Sequence, residues 1–129
     1  MTQRTINTEM APKAIGPYVQ AVQANGLVFC SGQIAIDPTT GGFMTGATVQ
    51  EQTHRVMKNL GAVLEAANLT LADVVKTTIY CTDLAKFKEI NEVYGSYFEG
   101  TDPPARATIQ VAALPLNADV EIECVATKG

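Results

Sequence analysis

The apolar and polar positions along the chain fall into two periods. YVQAVQ (18–23) and LVFCSGQI (27–34) are strand-like and flank Asn25-Gly26, a pair suited to a tight hairpin turn because both residues tolerate positive φ. A loop carrying Asp37-Pro38 and Gly41-Gly42 follows. Thr48-Val49-Gln50-Glu51 then has the spacing of a capping box, and Val49, Val56, Met57, Leu60, Val63, Leu64 and Ala67 keep helical spacing to about residue 68. Val74–Thr82 is rich in β-branched residues and predicts a third strand. Asp83 is placed to cap a second helix with the stripe Leu84, Phe87, Ile90, Tyr94, Tyr97 and Phe98, and Gly100 stands at its expected stop. Strands over 105–113 and 119–127 flank a loop with Leu114-Pro115-Leu116-Asn117. The predicted order β-β-α-β-α-β-β is that of a single α+β domain over residues 1–129.

Two helices with one apolar stripe each cover one face of such a sheet. Alternation in DPPARATIQV (102–111) sets Ala105, Ala107, Ile109 and Val111 against Arg106, Thr108 and Gln110. The second set, with Thr78 and Tyr80, is expected on the uncovered face, too mixed for a core and sparse in charge. Such a face suits a subunit interface or a ligand site; a solvated face on a monomer is the alternative.

Composition narrows the classes. Hydrophobic residues make up 47% and charged residues 17% of 129 residues, a globular balance with enough chain for a real core. A net charge of −4 with no basic run argues against binding nucleic acid through phosphate neutralisation. The first residues lack the apolar core of a signal peptide, and no stretch approaches a membrane span, so a cytoplasmic protein is expected. Cys30, Cys81 and Cys124 are far apart, form no CxxC and read as reduced core residues.

His54 is the only histidine and falls on the polar side of the first helix, so no triad or His-rich metal site is built around it. Neither GxGxxG nor GxxxxGK is present, and neither a cofactor nor a metal is expected. Carboxylates, tyrosines and one arginine remain. In DVEIECVA, Glu121 and Glu123 share one face of the last strand. Were that strand to pair with the Arg106 strand in a hairpin, a glutamate and the arginine would meet. Two readings stay open: an ordinary cross-strand ion pair, or an arginine fork holding a ligand carboxylate while a glutamate handles a water.

AIGPYVQAV (14–22), FCSGQI (29–34), DVVKTTIY (73–80), INEVYGSYF (90–98), PPARATIQVAALP (103–115) and VEIECVA (120–126) resemble, in order and spacing, the Rid family and its RidA subgroup of imine deaminases. The resemblance spans essentially the whole chain. It implies a chorismate-mutase-like α+β fold, a homotrimer with sites in clefts between subunits, and hydrolysis of 2-imino acids such as 2-iminobutanoate and 2-iminopropanoate to 2-keto acids and ammonia. Carried over position by position, the substrate-carboxylate arginine falls on Arg106, the water-handling glutamate on Glu121 and the site tyrosine on Tyr18. Further contacts fall on Gly32, Asn91 and Thr108. Many relatives have cysteine where this chain has Thr108; a backbone contact there survives the change, and water attack on an imine requires no thiol. The family has also been described as endoribonucleases or translation inhibitors. A holdase chaperone and a non-catalytic sensor of small acids are the other classes to separate from catalysis.

Overall fold

The computed structural model describes residues 4–128. Among these the sheet has six strands: β1 Thr5–Ile6, β2 Ala21–Ala24, β3 Leu27–Gln33, β4 Val74–Cys81, β5 Ala105–Gln110 and β6 Val120–Thr127. Helix α1, Val49–Ala66, precedes β4, and helix α2, Phe87–Ser96, connects β4 to β5. The short β1, which the hydrophobic pattern does not announce, pairs with β2 at the sheet edge.

Local chemistry sets the ends of these elements. The β2–β3 hairpin turns through Asn25 at φ 51° and Gly26 at φ 77°, both left-handed as the dipeptide predicts. Thr48 and Glu51 form the reciprocal capping box, Oγ1 accepting from the Glu51 N–H at 3.1 Å and the Thr48 N–H donating to Glu51 Oε1 at 2.8 Å. Asp83 does cap, but it caps a 3₁₀ turn, Leu84–Lys86, with Oδ1 accepting from the Ala85 N–H at 2.9 Å. The regular helix therefore starts at Phe87, and Leu84 lies outside the buried stripe at 47% exposure.

The strand order is β1-β2-β3-β6-β4-β5. The last strand inserts between β3 and β4 and pairs antiparallel with both. β5 instead runs parallel to β4, the consequence of a crossover connection through α2. The β5–β6 hairpin considered from the sequence is therefore absent.

One face of the sheet is covered by both helices. Met57, Leu60, Val63 and Leu64 of α1 and Ile90 and Tyr94 of α2 meet Val28, Ile79, Val120, Ile122, Cys124 and Ala126 there. Three buried polar side chains that the apolar pattern cannot reveal fasten this layer. Asn59 donates to the carbonyls of Ile34 at 3.3 Å and Ile36 at 3.0 Å. Gln52 donates to Asp119 Oδ2 at 2.8 Å and accepts from the Asp119 N–H at 3.0 Å. Thr53 donates to the Val49 carbonyl at 2.7 Å.

Register corrects the face assignment. Arg106 lies beside Thr77, which lies beside Cys124, so Arg106, Thr108 and Gln110 belong to the helix-covered face. Thr78 and Tyr80 do lie on the uncovered face, together with Ala107, Ile109, Glu121 and Glu123. Alternation separates the two faces of a strand, but on an edge strand it cannot say which one the helices cover.

Removing the cap hydroxyl should loosen α1 without altering the sheet. Thr48→Ala is expected to cost about 1 kcal/mol in urea unfolding with an unchanged m-value.

Candidate functional site

The predicted site residues gather in two groups. The first is built where β5 passes α2. Arg106 Nη1 donates to Asn91 Oδ1 at 2.7 Å. The guanidinium carbon stands 5.2 Å from the ring centroids of both Phe87 and Tyr94, within the range of a favourable cation–π contact. Tyr94 is itself fixed by a 2.7 Å hydrogen bond between its hydroxyl and that of Thr77. The arginine is thus braced by one neutral side chain and two rings. Among the described residues no carboxylate pairs with it. The cross-strand ion pair is accordingly absent among the described residues. Two positions along the same face, the hydroxyl oxygen of Thr108 is buried without a hydrogen-bond partner among the described residues.

The second group surrounds a cleft of about 530 Å³ on the other side of β6. Its floor is the irregular stretch of β3 between Cys30 and Gln33. Gly32 lies there directly under the Glu121 carboxylate. A Cβ built on Gly32 would overlap Glu121 Oε2 and approach its Cδ to 2.9 Å. The φ of Gly32 is ordinary, so what the glycine supplies is room for the Glu121 carboxylate rather than a backbone conformation. Ser31 ties the incoming loop to this floor: its N–H donates to the Gln20 carbonyl at 2.9 Å and its Oγ to the Val19 carbonyl at 2.6 Å. That loop carries Tyr18, 53% exposed, along the cleft.

Gln20 is the residue here whose importance the sequence hides. It is buried, and its amide donates to the carbonyls of Thr8 at 3.0 Å and Pro12 at 2.8 Å while accepting from the Thr8 N–H at 2.7 Å. It fixes the path of the segment that brings Lys13, Ile15 and Tyr18 to the cleft. A glutamine in an apolar strand pattern is the available signal, since burial of a long polar side chain demands such partners.

Burial pushes the proton affinity of Glu121 above the usual carboxylate range, and the nearby charge of Glu123 adds to the effect. Glu123 in turn accepts a 2.5 Å hydrogen bond from the Tyr80 hydroxyl, which raises the tyrosine's own pKa. Cys30 and Cys124 are directly opposed in the core, and hydrogen bonding to Cys30 with burial raises the Cys124 thiol. His54 is exposed on α1, with Nδ1 2.9 Å from the Tyr97 hydroxyl, and it does not line the Glu121 cleft. Among the described residues no cluster of His, Cys, Asp or Glu could hold a metal ion, and no helix is long and apolar enough to cross a membrane.

Arg106 and Glu121 are therefore not brought together in one chain. Arg106 is on the helix-covered face of the edge strand; Glu121 is on the uncovered face of a central strand, with β4 between them. The structure joins Arg106 with Asn91 and, separately, Tyr18 with Gly32 and Glu121.

An α+β chain carrying these two groups matches one known class. The family model described as endoribonuclease L-PSP matches residues 8–128. Reactive Intermediate Deaminase A, a chloroplastic protein of Arabidopsis thaliana, is 52% identical over 125 residues, spanning 97% of this chain and 66% of that protein. The 2-iminobutanoate/2-iminopropanoate deaminase of Mus musculus is 46% identical over 127 residues, spanning 98% and 93%. The crystal structure of E. coli TdcF with bound serine superposes with a TM-score of 0.93 at 42% identity, covering 98% of this chain and all of that one. The chain belongs to the Rid family, in its RidA subgroup.

A methyl group on Gly32 must displace the Glu121 carboxylate. In Gly32→Ala the Glu121 titration, followed by NMR, should fall back toward that of an ordinary carboxylate. Because its folded-state pKa is raised, Glu121's contribution to stability is full below the unfolded-state value and lost as pH rises through the folded-state one. The same substitution should flatten that part of the stability–pH curve. An unchanged titration would show that the two groups are not packed together.

Proposed function

We propose that this protein hydrolyses 2-imino acids, 2-iminobutanoate and 2-iminopropanoate among them, to 2-keto acids and ammonia, in clefts completed by neighbouring copies of a homotrimer. The observation that carries this reading is the separation of the two groups. Among the described residues, Arg106 is held in place without a carboxylate partner, while Glu121 is held with raised proton affinity in a cleft that no arginine lines. A second copy that brings its Arg106 to this cleft supplies what each half lacks. The uncovered sheet face, with Phe29 and Ile109 both 45% exposed beside Tyr80 and Glu123, supports association through that face. The mouse relative's name supports the substrate class.

The steps follow from the residues. Arg106, steadied by Asn91, would grip the substrate carboxylate through its planar fork, fixing the imine carbon near a water over Gly32. Glu121 takes a proton from that water as its oxygen bonds to carbon and returns the proton to nitrogen. It then takes the hydroxyl proton of the resulting carbinolamine and passes it to the amine as the C–N bond breaks. One water is consumed and ammonia leaves. A raised proton affinity makes the carboxylate a better acceptor of the water's proton than an ordinary glutamate, and the protonated form then serves as the acid that hands the proton on. Tyr18 would close the cleft and donate a hydrogen bond. Gly32 offers the close backbone approach, and Thr108 a buried hydroxyl beside the arginine. The endoribonuclease function in the family's description would need a basic track, whereas Lys13 is the one cationic side chain among the described residues that line this cleft.

The test is a coupled assay in which a threonine or serine dehydratase generates the imine and keto-acid release is timed. Arg106→Lys keeps the charge and loses the fork. It should remain a trimer by light scattering, with deaminase activity down at least about tenfold, roughly 1.4 kcal/mol of transition-state stabilisation. Near-normal turnover, or a monomeric wild-type protein at micromolar concentration, would overturn the reading.

The acidic limb of the pH–rate profile should lie above the ordinary glutamate range, because the working form of Glu121 is ionised and its proton affinity is raised. Glu123→Gln removes the neighbouring charge and should move that limb to lower pH; a limb that stays in place would assign it to another group.

A further inference from the structure

We propose that Leu116, together with Ile15, forms an apolar wall that receives the substrate's side chain and sets a preference for 2-imino acids with apolar side chains longer than ethyl. This inference rests on the deaminase reading for its chemistry and adds to it which substituent the cleft selects.

Leu116 has backbone angles of φ 55° and ψ 24°, in the left-handed region that a bulky side chain enters only at a cost. Asn117 follows at φ 60°, where asparagine is well suited. The turn is held by the Asn117 N–H donating to the Leu114 carbonyl and the Ala118 N–H to the Pro115 carbonyl, both at 3.1 Å. Burial in the core does not offset the strain, for Leu116 is 62% exposed and outside the core cluster. A strained conformation that core packing does not reward points to a role for what the side chain presents.

What it presents is one wall of the cleft over Glu121 and Gly32. Ile15, 81% exposed, lines the same cleft, and so do Ile34 and Ile36, whose carbonyls Asn59 holds. The amide of Gln20 is occupied by the backbone of residues 8–12, and the Ser31 hydroxyl by the Val19 carbonyl. With the substrate carboxylate on Arg106 and its imine carbon over Glu121, the remaining substituent has Ile15, Ile34, Ile36 and Leu116 as its apolar neighbours in a cleft that Lys13 and Gln33 also line. A cleft of about 530 Å³ has room for more than a methyl or ethyl group.

Leu116→Gly and Leu116→Asn both suit the left-handed backbone, so neither should lower the melting temperature. Imines of alanine and norleucine, generated in situ by an L-amino-acid oxidase, give a short and a long substrate. Wild type should favour the long imine, and both variants should lose at least about fivefold in its kcat/KM relative to the short one, with assembly mass unchanged. A ratio that does not move overturns the proposal and leaves the deaminase reading intact; loss of assembly mass in both variants overturns it by making Leu116 a subunit contact. Should wild type hydrolyse neither imine, the deaminase reading fails, and calorimetry with 2-oxohexanoate and 2-oxopropanoate decides. Tighter binding of the longer acid that Leu116→Gly abolishes sustains the apolar wall, and equal binding removes it.

Discussion

The position of β6 between β3 and β4 is the constraint on which the rest depends. A strand with neighbours on both sides, whose alternate residues Val120, Ile122, Cys124 and Ala126 are all buried under the helices, has no freedom of register. A slip of one residue would drive Glu121 and Glu123 into the core. Held in register, the strand sends Glu121 to the uncovered face directly beside the irregular stretch of β3, where only a glycine leaves room for the carboxylate. The same insertion displaces β5 to the sheet edge, beyond β4, and puts Arg106 on the other face. Core packing and the division of the candidate site are thus one fact.

Much of this was legible in the chain, and the legible parts share a physical character. The Asn25-Gly26 turn, the Thr48–Glu51 cap and the apolar stripe of α1 are local signals, complete within a few residues. The family resemblance placed Arg106 and Glu121 in one site by motif, and no local pattern could have shown that they stand apart in the chain. Which strand β6 pairs with is decided by burial on both of its sides, a property of the whole sheet. The face of β5 was misread for a related reason: Ala105, Ala107 and Ile109 look like core, yet on an edge strand they lie on the uncovered side, while Arg106 finds aromatic rings at the rim of α2. The start of α2 lies later than the Asp83 signal indicates because Asp83 caps a 3₁₀ turn as readily as an α-helix.

The buried polar side chains were the least legible features and do much of the positioning. Gln20, Gln52 and Asn59 each occupy positions where an apolar residue would also satisfy the periodic pattern. Each instead binds backbone or a side chain distant in sequence, and two of them shape the cleft: Gln20 through the loop that carries Tyr18, Asn59 through the carbonyls of Ile34 and Ile36. Such side chains are costly to bury without partners and specify one arrangement when every partner is present. The cleft is therefore held in shape by side chains whose polar atoms are taken up by the backbone around it.

On the proposed reading, dividing the site has a physical consequence for control of the chemistry. A carboxylate of raised proton affinity beside a full guanidinium in one chain would lose that affinity, because an adjacent cation favours the ionised form. Separating the two keeps Glu121 under the influence of burial and of Glu123, itself engaged by Tyr80. On that reading the arginine would enter with a neighbouring copy, and the substrate carboxylate it binds would offset its charge at Glu121, which leaves Glu121 the role of proton carrier and Arg106 that of a grip. A chain that placed both groups on one face as cross-strand neighbours would form the exposed ion pair instead, with neither function served.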